Sequence, residues 1–224
     1  MTGSGARWLP EQDAVALLGE YGVPYPNHAY ARSPGQAASI ADRIGYPVVL
    51  KVVSPDLIHK SDLGGVSLGI ESAAGVREAY EGIRRSVLEH AAVARIPGML
   101  VCKQAPQGLE VIVGGLQDAM LGPAVMFGLG GTFAEVLQDV SFRIVPLQRT
   151  DASEMIQEIR GYPLLEGTRG RGGCDVAALV DLLLSVSRMK GERTDIKELD
   201  LNPVRVYERG LMALDARILL AESE

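Results

Sequence analysis

Three oxygen-bearing side chains near the end of this 224-residue chain have the types and spacing to hold a hard cation. In ELDLNPV, Asp200 and Asn202 are two residues apart on a strand-like run, so both face the same side of it. Asp215 follows on what reads as the neighbouring strand of a hairpin. Carboxylate and amide oxygens that converge in this way suit Mg2+, which takes few protein oxygens and keeps water and substrate phosphates in its other positions. Two strand-end polar residues making turns with Pro203 would explain the same pattern.

Other residues could meet a phosphorylated ligand. Lys51 lies inside the apolar run PVVLKVV, where an ammonium is costly unless it reaches water or an anion. It is either a lysine reaching solvent past an edge strand or a point charge for phosphates. Glu110 opens the run EVIVGG and could accept two ribose hydroxyls, or simply be an exposed strand-start acid. FGLGG (127–131) and TRGRGG (168–173) present backbone N–H groups that could approach phosphate. Neither loop carries a Walker A pattern or GxGxxG, and ordinary turns account for them equally well. Arg143 and Arg169 are candidate phosphate clamps because a guanidinium pairs with phosphate through two parallel bonds.

The segment LKVVSPDLIHKSDLGGV (50–66) leaves an apolar strand for a polar loop with Asp56, His59, Lys60, Ser61 and Asp62, and closes on Gly64-Gly65. The chain has three histidines in all, so one set among charges and bracketed by Pro55 and a glycine pair stands out.

These residues need a frame, and the composition provides for one. A hydrophobic share of 47% and a charged share of 22% are those of a folded globular protein large enough for two small lobes. The net charge of −6 argues against a broad nucleic-acid surface, since no excess of Lys and Arg is available. Cys102 and Cys174 are far apart and outside any CxxC pattern, which excludes a disulfide scaffold and predicts reduced thiols. No apolar run approaches a membrane span, and MTGSGARWLPEQ has no hydrophobic signal region, so a cytoplasmic protein without membrane or nucleic-acid partners is expected.

Periodicity predicts a helix from Glu11 to Gly22 and another from Ser33-Pro34 to Gly45. Strands are expected at 47–53 and 66–71, then a long helix capped by Ser72. Runs 98–104 and 109–115 read as a strand pair, and 123–147 as short strands cut by glycines. Asp151 with Glu154 predicts a capping box for a helix to Arg160, and Asp175 caps a strongly amphipathic helix. Strands at 196–202 and 210–216 and a short tail end the chain. Mixed elements without strict β-α-β alternation predict an α+β protein of two lobes, with the boundary near residues 97 to 108.

Together, VVLKVVSPDLIHKSDLGGV, GLEVIVGG, VMFGLGGTFAEVLQDVSFRIVPL and ELDLNPV with a later LDA resemble the ATP-grasp β subunit of ADP-forming acyl-CoA (acetyl-CoA) synthetases, a family related to succinyl-CoA synthetase. The resemblance runs in order from about residue 11 to 220. It implies an ATP-grasp fold in which two α/β lobes hold the nucleotide between them. The first lobe would be 23–104 with a phosphohistidine loop at 54–65, and the second 105–224, with 1–22 as an N-terminal helix. It further implies that Lys51 contacts the nucleotide phosphates. Cys102, Lys103 and Gln104 would lie on a hinge holding adenine by backbone groups, with Glu110 as the ribose acid. Asn202 and Asp215 match magnesium ligands, with Asp200 in the place of the acid just before that Asn, and Arg143 is a further source of positive charge. His59 matches a histidine that is transiently phosphorylated, a nucleophile suited to passing a phosphoryl group onward reversibly.

The implied reaction is acyl-CoA + ADP + phosphate giving acid + CoA + ATP, with Mg2+ as cofactor and ATP or ADP as substrate. Two departures stand out. The hinge carries Lys103-Gln104 where such proteins have an acid and a methionine, and no CoA-binding Rossmann half is present. A CoA-binding α subunit or domain is therefore the expected partner, in a hetero-oligomer. Two other classes share the module: a ligand-sensing part of a protein acetyltransferase, and a free-standing ATP-grasp carboxylate ligase. The histidine speaks against both.

Overall fold

The computed structural model describes residues 5–57, 60–118, 120–131, 139–167 and 172–221. The chain divides into two compact units, one formed by Pro26–Pro106 and the other by Met1–Tyr25 with Gln107–Glu224.

The Pro26–Pro106 unit is a four-stranded antiparallel sheet in the order β2 (His28–Ala31), β5 (Gly98–Lys103), β3 (Val48–Val53), β4 (Val66–Ile70). Two helices, α2 (Pro34–Ile44) and α3 (Ala73–His90), cover one face. Each starts as its sequence requires: the hydroxyls of Ser33 and Ser72 accept from the amides of Gln36 and Gly75. Val48, Leu50 and Val52 of β3 and Met99 and Val101 of β5 join the helix-facing core. Strand alternation then puts Lys51, Leu100 and Cys102 on the opposite face.

The other unit is a seven-stranded antiparallel sheet. Its order is β1 (Ala6–Trp8), β11 (Arg217–Ala221), β9 (Ile196–Val206), β6 (Leu109–Asp118), β7 (Gly122–Leu129), β8 (Val140–Ile144), with β10 (Leu211–Ala213) also paired to β9. Helices α1 (Glu11–Glu20), α4 (Arg149–Glu158), α5 (Tyr162–Glu166) and α6 (Val176–Glu192) complete it. Val111, Val113, Val125, Phe127, Leu199, Leu201, Val204 and Val206 share one core with Met155, Ile156, Leu179, Leu183 and Val186 of the helices. Asp175 caps α6 through the amide of Ala178, and its second oxygen accepts from Gly210. The buried Lys190 lies along Gly115 and donates to the Ile196 carbonyl just where β9 begins.

Three expectations are corrected here. Strands β5 and β6 do not pair: β5 lies between β2 and β3, and β6 between β7 and β9, so adjacency in sequence is a connection between units rather than a hairpin. Asp151 does not cap α4; it is the third residue of the helix and reaches back to accept from the amide of Gln148. The tail after residue 216 is β11, a full partner of β9. The first helix belongs with the second unit, because β1 pairs with β11 and α1 packs into that core.

Among the described residues, no helix is long and apolar enough to cross a membrane, and neither cysteine forms a disulfide.

Candidate functional site

Lys51, Cys102, Glu110, Arg205 and Asp200 fall on the faces of the two sheets that their helices leave uncovered.

In the Pro26–Pro106 unit, Lys51 is on an inner strand, with Val66 and Leu100 as its register partners. It is 9% exposed, so the explanation of a lysine reaching past a sheet edge does not hold. Cys102 shares its face and is buried. Lys103 points the other way: its Nζ donates to the carbonyls of Gly45 (3.1 Å) and Tyr46 (2.6 Å), tying the α2–β3 loop to the end of β5. Gln104 turns its Oε1 to the Gly69 amide at 2.6 Å. The amides of Lys103 and Gln104 are themselves taken by the carbonyls of Asn27 and Pro47. The position of residues 103–104 is therefore held by bonds within this unit.

His59 lies outside the described residues, but the chain on either side of it is described. Asp56 accepts from the Arg95 amide and guanidinium, which holds its carboxyl down at a pKa of about 2. Further along, Ser61–Leu63 form a 3-10 turn, and the Ser86 hydroxyl of α3 donates to the Leu63 carbonyl at 3.0 Å. The glycine pair is required by close packing. A Cβ on Gly64, whose φ is +66°, would come within 2.4 Å of the Ser86 hydroxyl oxygen, and one on Gly65 within 2.7 Å of the Lys60 carbonyl oxygen.

In the larger unit, Glu110 of β6 and Arg205 of β9 are register partners, and Gly114 and Asp200 are register partners further along the same ladder. The neighbours Val111, Leu199, Leu201, Val204 and Val206 all face the helices, so Glu110, Arg205 and Asp200 occupy the uncovered face. Arg205 donates to Glu110 through Nε (3.0 Å) and Nη2 (2.9 Å). The glycine turn after β7 folds onto the same acid, with the Gly130 amide donating to the Glu110 carbonyl at 2.8 Å.

A register shift between Val111 and Val113 sets two residues of β9, Asn202 and Pro203, against one of β6, Ile112. This bulge falls at Asn202-Pro203; Asn202 shares the face of Asp200 by plain alternation, and the extra residue brings Arg205, five residues past Asp200, to that same face. Asp215 lies in the turn between β10 and β11 rather than on a strand, 3.8 Å from Arg217, itself the register partner of Asp200. Burial pushes the Asp200 carboxyl up; Arg217 pulls it down, and Asp215 and Glu198 push it up again. Among the described residues there is no group of three or more His, Cys, Asp or Glu able to enclose a metal. Two carboxylates and an amide beside Arg217 fit Mg2+, which needs few protein oxygens when phosphates complete its shell.

Arg143 is not part of this group. Its register partner Val125 faces the helices, and its guanidinium is engaged by Glu158 and Glu154 of α4, which raise its pKa. Arg143 and Glu110 are on opposite faces of one sheet. Arg169 lies outside the described residues. Arg205 was missed by sequence reasoning; only its pairing with Glu110 across the ladder marks it.

A family model described as an ATP-grasp domain matches residues 1–220. The chain is 44% identical over 214 residues to the ADP-forming acetate–CoA ligase I subunit beta of Pyrococcus furiosus, covering 96% of this chain and 92% of that one. It is also 44% identical over 218 residues to ADP-forming acetate–CoA ligase I of Archaeoglobus fulgidus, covering 97% of this chain but 31% of that longer one. Two structures of Ca. Korarchaeum cryptofilum dinucleotide forming acetyl-coenzyme A synthetase 1 match closely. The complex with coenzyme A, Ca-AMPCP and HgCl+ gives a TM-score of 0.94 at 45% identity, covering 96% of this chain and 93% of that one. The complex with coenzyme A and Mg-AMPPCP, whose phosphohistidine segment points towards the nucleotide binding site, gives 0.82 at 42% identity with the same coverage.

Proposed function

This chain belongs to the ATP-grasp domain family and, within it, to the beta subunits of ADP-forming acetate–CoA ligases, and we propose that it is the nucleotide-binding half of an acid–thiol ligase. The reaction is acyl-CoA + ADP + phosphate giving acid + CoA + ATP, reversible, and carried out in the cytoplasm with a CoA-binding α subunit or domain in a hetero-oligomer. The match to less than a third of the longer Archaeoglobus chain supports such a partner.

One observation carries the reading. The Glu110–Arg205 and Gly114–Asp200 rungs lie four residues apart on the same uncovered ladder, which at strand rise is about 13 Å. That is the order of the reach from the ribose to the terminal phosphate of an extended nucleoside triphosphate. Glu110 takes the ribose hydroxyls, and Asp200, Asn202 and Asp215 stand at the phosphate end. Bound Mg2+ would supply charge neutralisation there, held by Asn202 and Asp215 with Asp200 beside them. Lys51 is the phosphate-contacting ammonium in this reading, and its inner-strand position supports that role.

His59 takes the phosphoryl group. The bond between the γ-phosphorus and its bridging oxygen breaks, ADP leaves with the electron pair, and a phosphorus–nitrogen bond forms as the imidazole gives up its proton. The group then passes to the carboxylate of the acid, and the CoA thiolate displaces phosphate from the acyl phosphate. That Asp56 and Leu63, on either side of His59 in the sequence, are both held by α3 and the loop after it supports this assignment.

The test is transfer from γ-labelled ATP with Mg2+, in the presence of a CoA-binding partner. Acid-labile, alkali-stable label that is absent from His59→Ala supports the relay. Label that never forms while ATP still binds removes it.

A further inference from the structure

Arg205 and Glu110 meet in an unusual way for an arginine and a carboxylate. A guanidinium commonly spans both carboxylate oxygens with two parallel bonds. Here Nε and Nη2, at 3.0 and 2.9 Å, both reach Oε1. Among the described residues no hydrogen bond reaches Oε2. The chain beside Oε2 is Gly131, with φ +64°, where a Cβ would stand 3.4 Å from that oxygen. Gly130 is closer still: its Cβ would come within 3.0 Å of the Glu110 backbone carbon. Two glycines thus pack against the acid and add no side chain beside the oxygen that Arg205 leaves.

Both partners are more than two-thirds screened from solvent, with side chains 20% and 30% exposed. An acid so placed needs its charge offset before an anionic nucleotide can approach, and a flexible glutamate needs its rotamer held. One guanidinium on one oxygen does both.

We propose that Arg205 is a positioning residue for nucleotide binding: it fixes Glu110 so that Oε2 alone is presented to the ribose hydroxyls. This rests on the reading of Glu110 as the ribose acid. Arg205 itself touches no substrate, and its loss disturbs recognition of the sugar rather than the transfer step.

The experiment compares binding of Mg-ATP and Mg-2′-deoxy-ATP to the assembled complex by calorimetry. Wild type should prefer ATP by about 10-fold, the worth of one hydrogen bond to a charged group. Arg205→Met should bring the two ligands to near equality. Arg205→Lys, which keeps the charge but not the fork, should retain more ATP affinity yet lose most of the preference. Glu110→Gln should also lose the preference, and adding Arg205→Met to it should change the ratio no further. A preference kept in both Arg205 variants overturns the proposal while leaving Glu110 as the ribose acid. A preference kept in Glu110→Gln overturns both. Failure of wild type to bind ATP removes the function on which both depend.

Discussion

Asp56 receives three hydrogen bonds from Arg95: one from the backbone amide at 2.8 Å and two from the guanidinium at 2.7 and 3.0 Å. The two residues are 39 apart in sequence, so the contact closes the loop after α3 onto the first foot of the segment that carries His59. The second foot is the Ser86–Leu63 bond on the same helix. Both feet belong to the Pro26–Pro106 unit.

The ion pair can be followed by pH. Asp56 has a folded-state pKa of about 2, below the ordinary carboxylate value of about 3.9. Its contribution is therefore in place above the ordinary value and is lost as pH falls toward the folded one. Carboxyl NMR titration should find the Asp56 midpoint near the depressed value in wild type and near the ordinary value in Arg95→Ala. An unchanged midpoint in the variant would mean that Arg95 is not the cause.

The glycine pair should respond to alanine in two different ways. Gly64→Ala meets the flexible Ser86 side chain and a left-handed backbone, whereas Gly65→Ala meets the backbone oxygen of Lys60. Each should destabilise by about 1–3 kcal/mol in urea unfolding. Ser86→Ala should recover part of the loss in Gly64→Ala and none in Gly65→Ala. Equal recovery in both would contradict the packing described for the second foot.

Removing the proposed magnesium ligands should separate metal-dependent from metal-independent binding. Asp215→Asn and Asn202→Ala should weaken Mg-ATP binding by about 10- to 100-fold, as expected for loss of a charge-assisted contact. Binding of ATP in the presence of EDTA should be affected far less. If both ligands weaken equally, the residues shape the fold and do not hold the ion.

Arg143 provides the contrasting case. It sits on the helix-covered face in ion pairs with Glu158 and Glu154, partners that are about half exposed or more. Arg143→Met should cost about 1 kcal/mol or less of stability and leave ATP affinity and phosphoryl transfer unchanged. A selective loss of transfer would return this arginine to the phosphates.

The lettering of the chain shows why some of this was legible and some was not. Ser72, Asp175 and the 3.6-residue spacing behind each mark helices that form as expected, because caps and amphipathic stripes are local signals. The short, β-branched run PVVLKVV likewise marks β3. Strand pairing is not local: β5 and β6 are neighbours in sequence and belong to different sheets. Arg143 could not be assigned a side from SFRIVPL, since alternation tells which residues share a face but not which face the helices cover.

The sequence by itself determined the family, the α+β composition and the short list of acids, amides and cations from which a nucleotide site is built. Tertiary structure alone decided which of them stand together. A bulge at Asn202-Pro203 brings Arg205 to the face of Asp200 and beside Glu110, and Asp215 comes near Asp200 from the link between β10 and β11, while Arg143 is carried to the other side. The reason is physical: residue type and period set what a strand can offer, but its neighbours, register and covered face are fixed only when distant strands share one hydrophobic core.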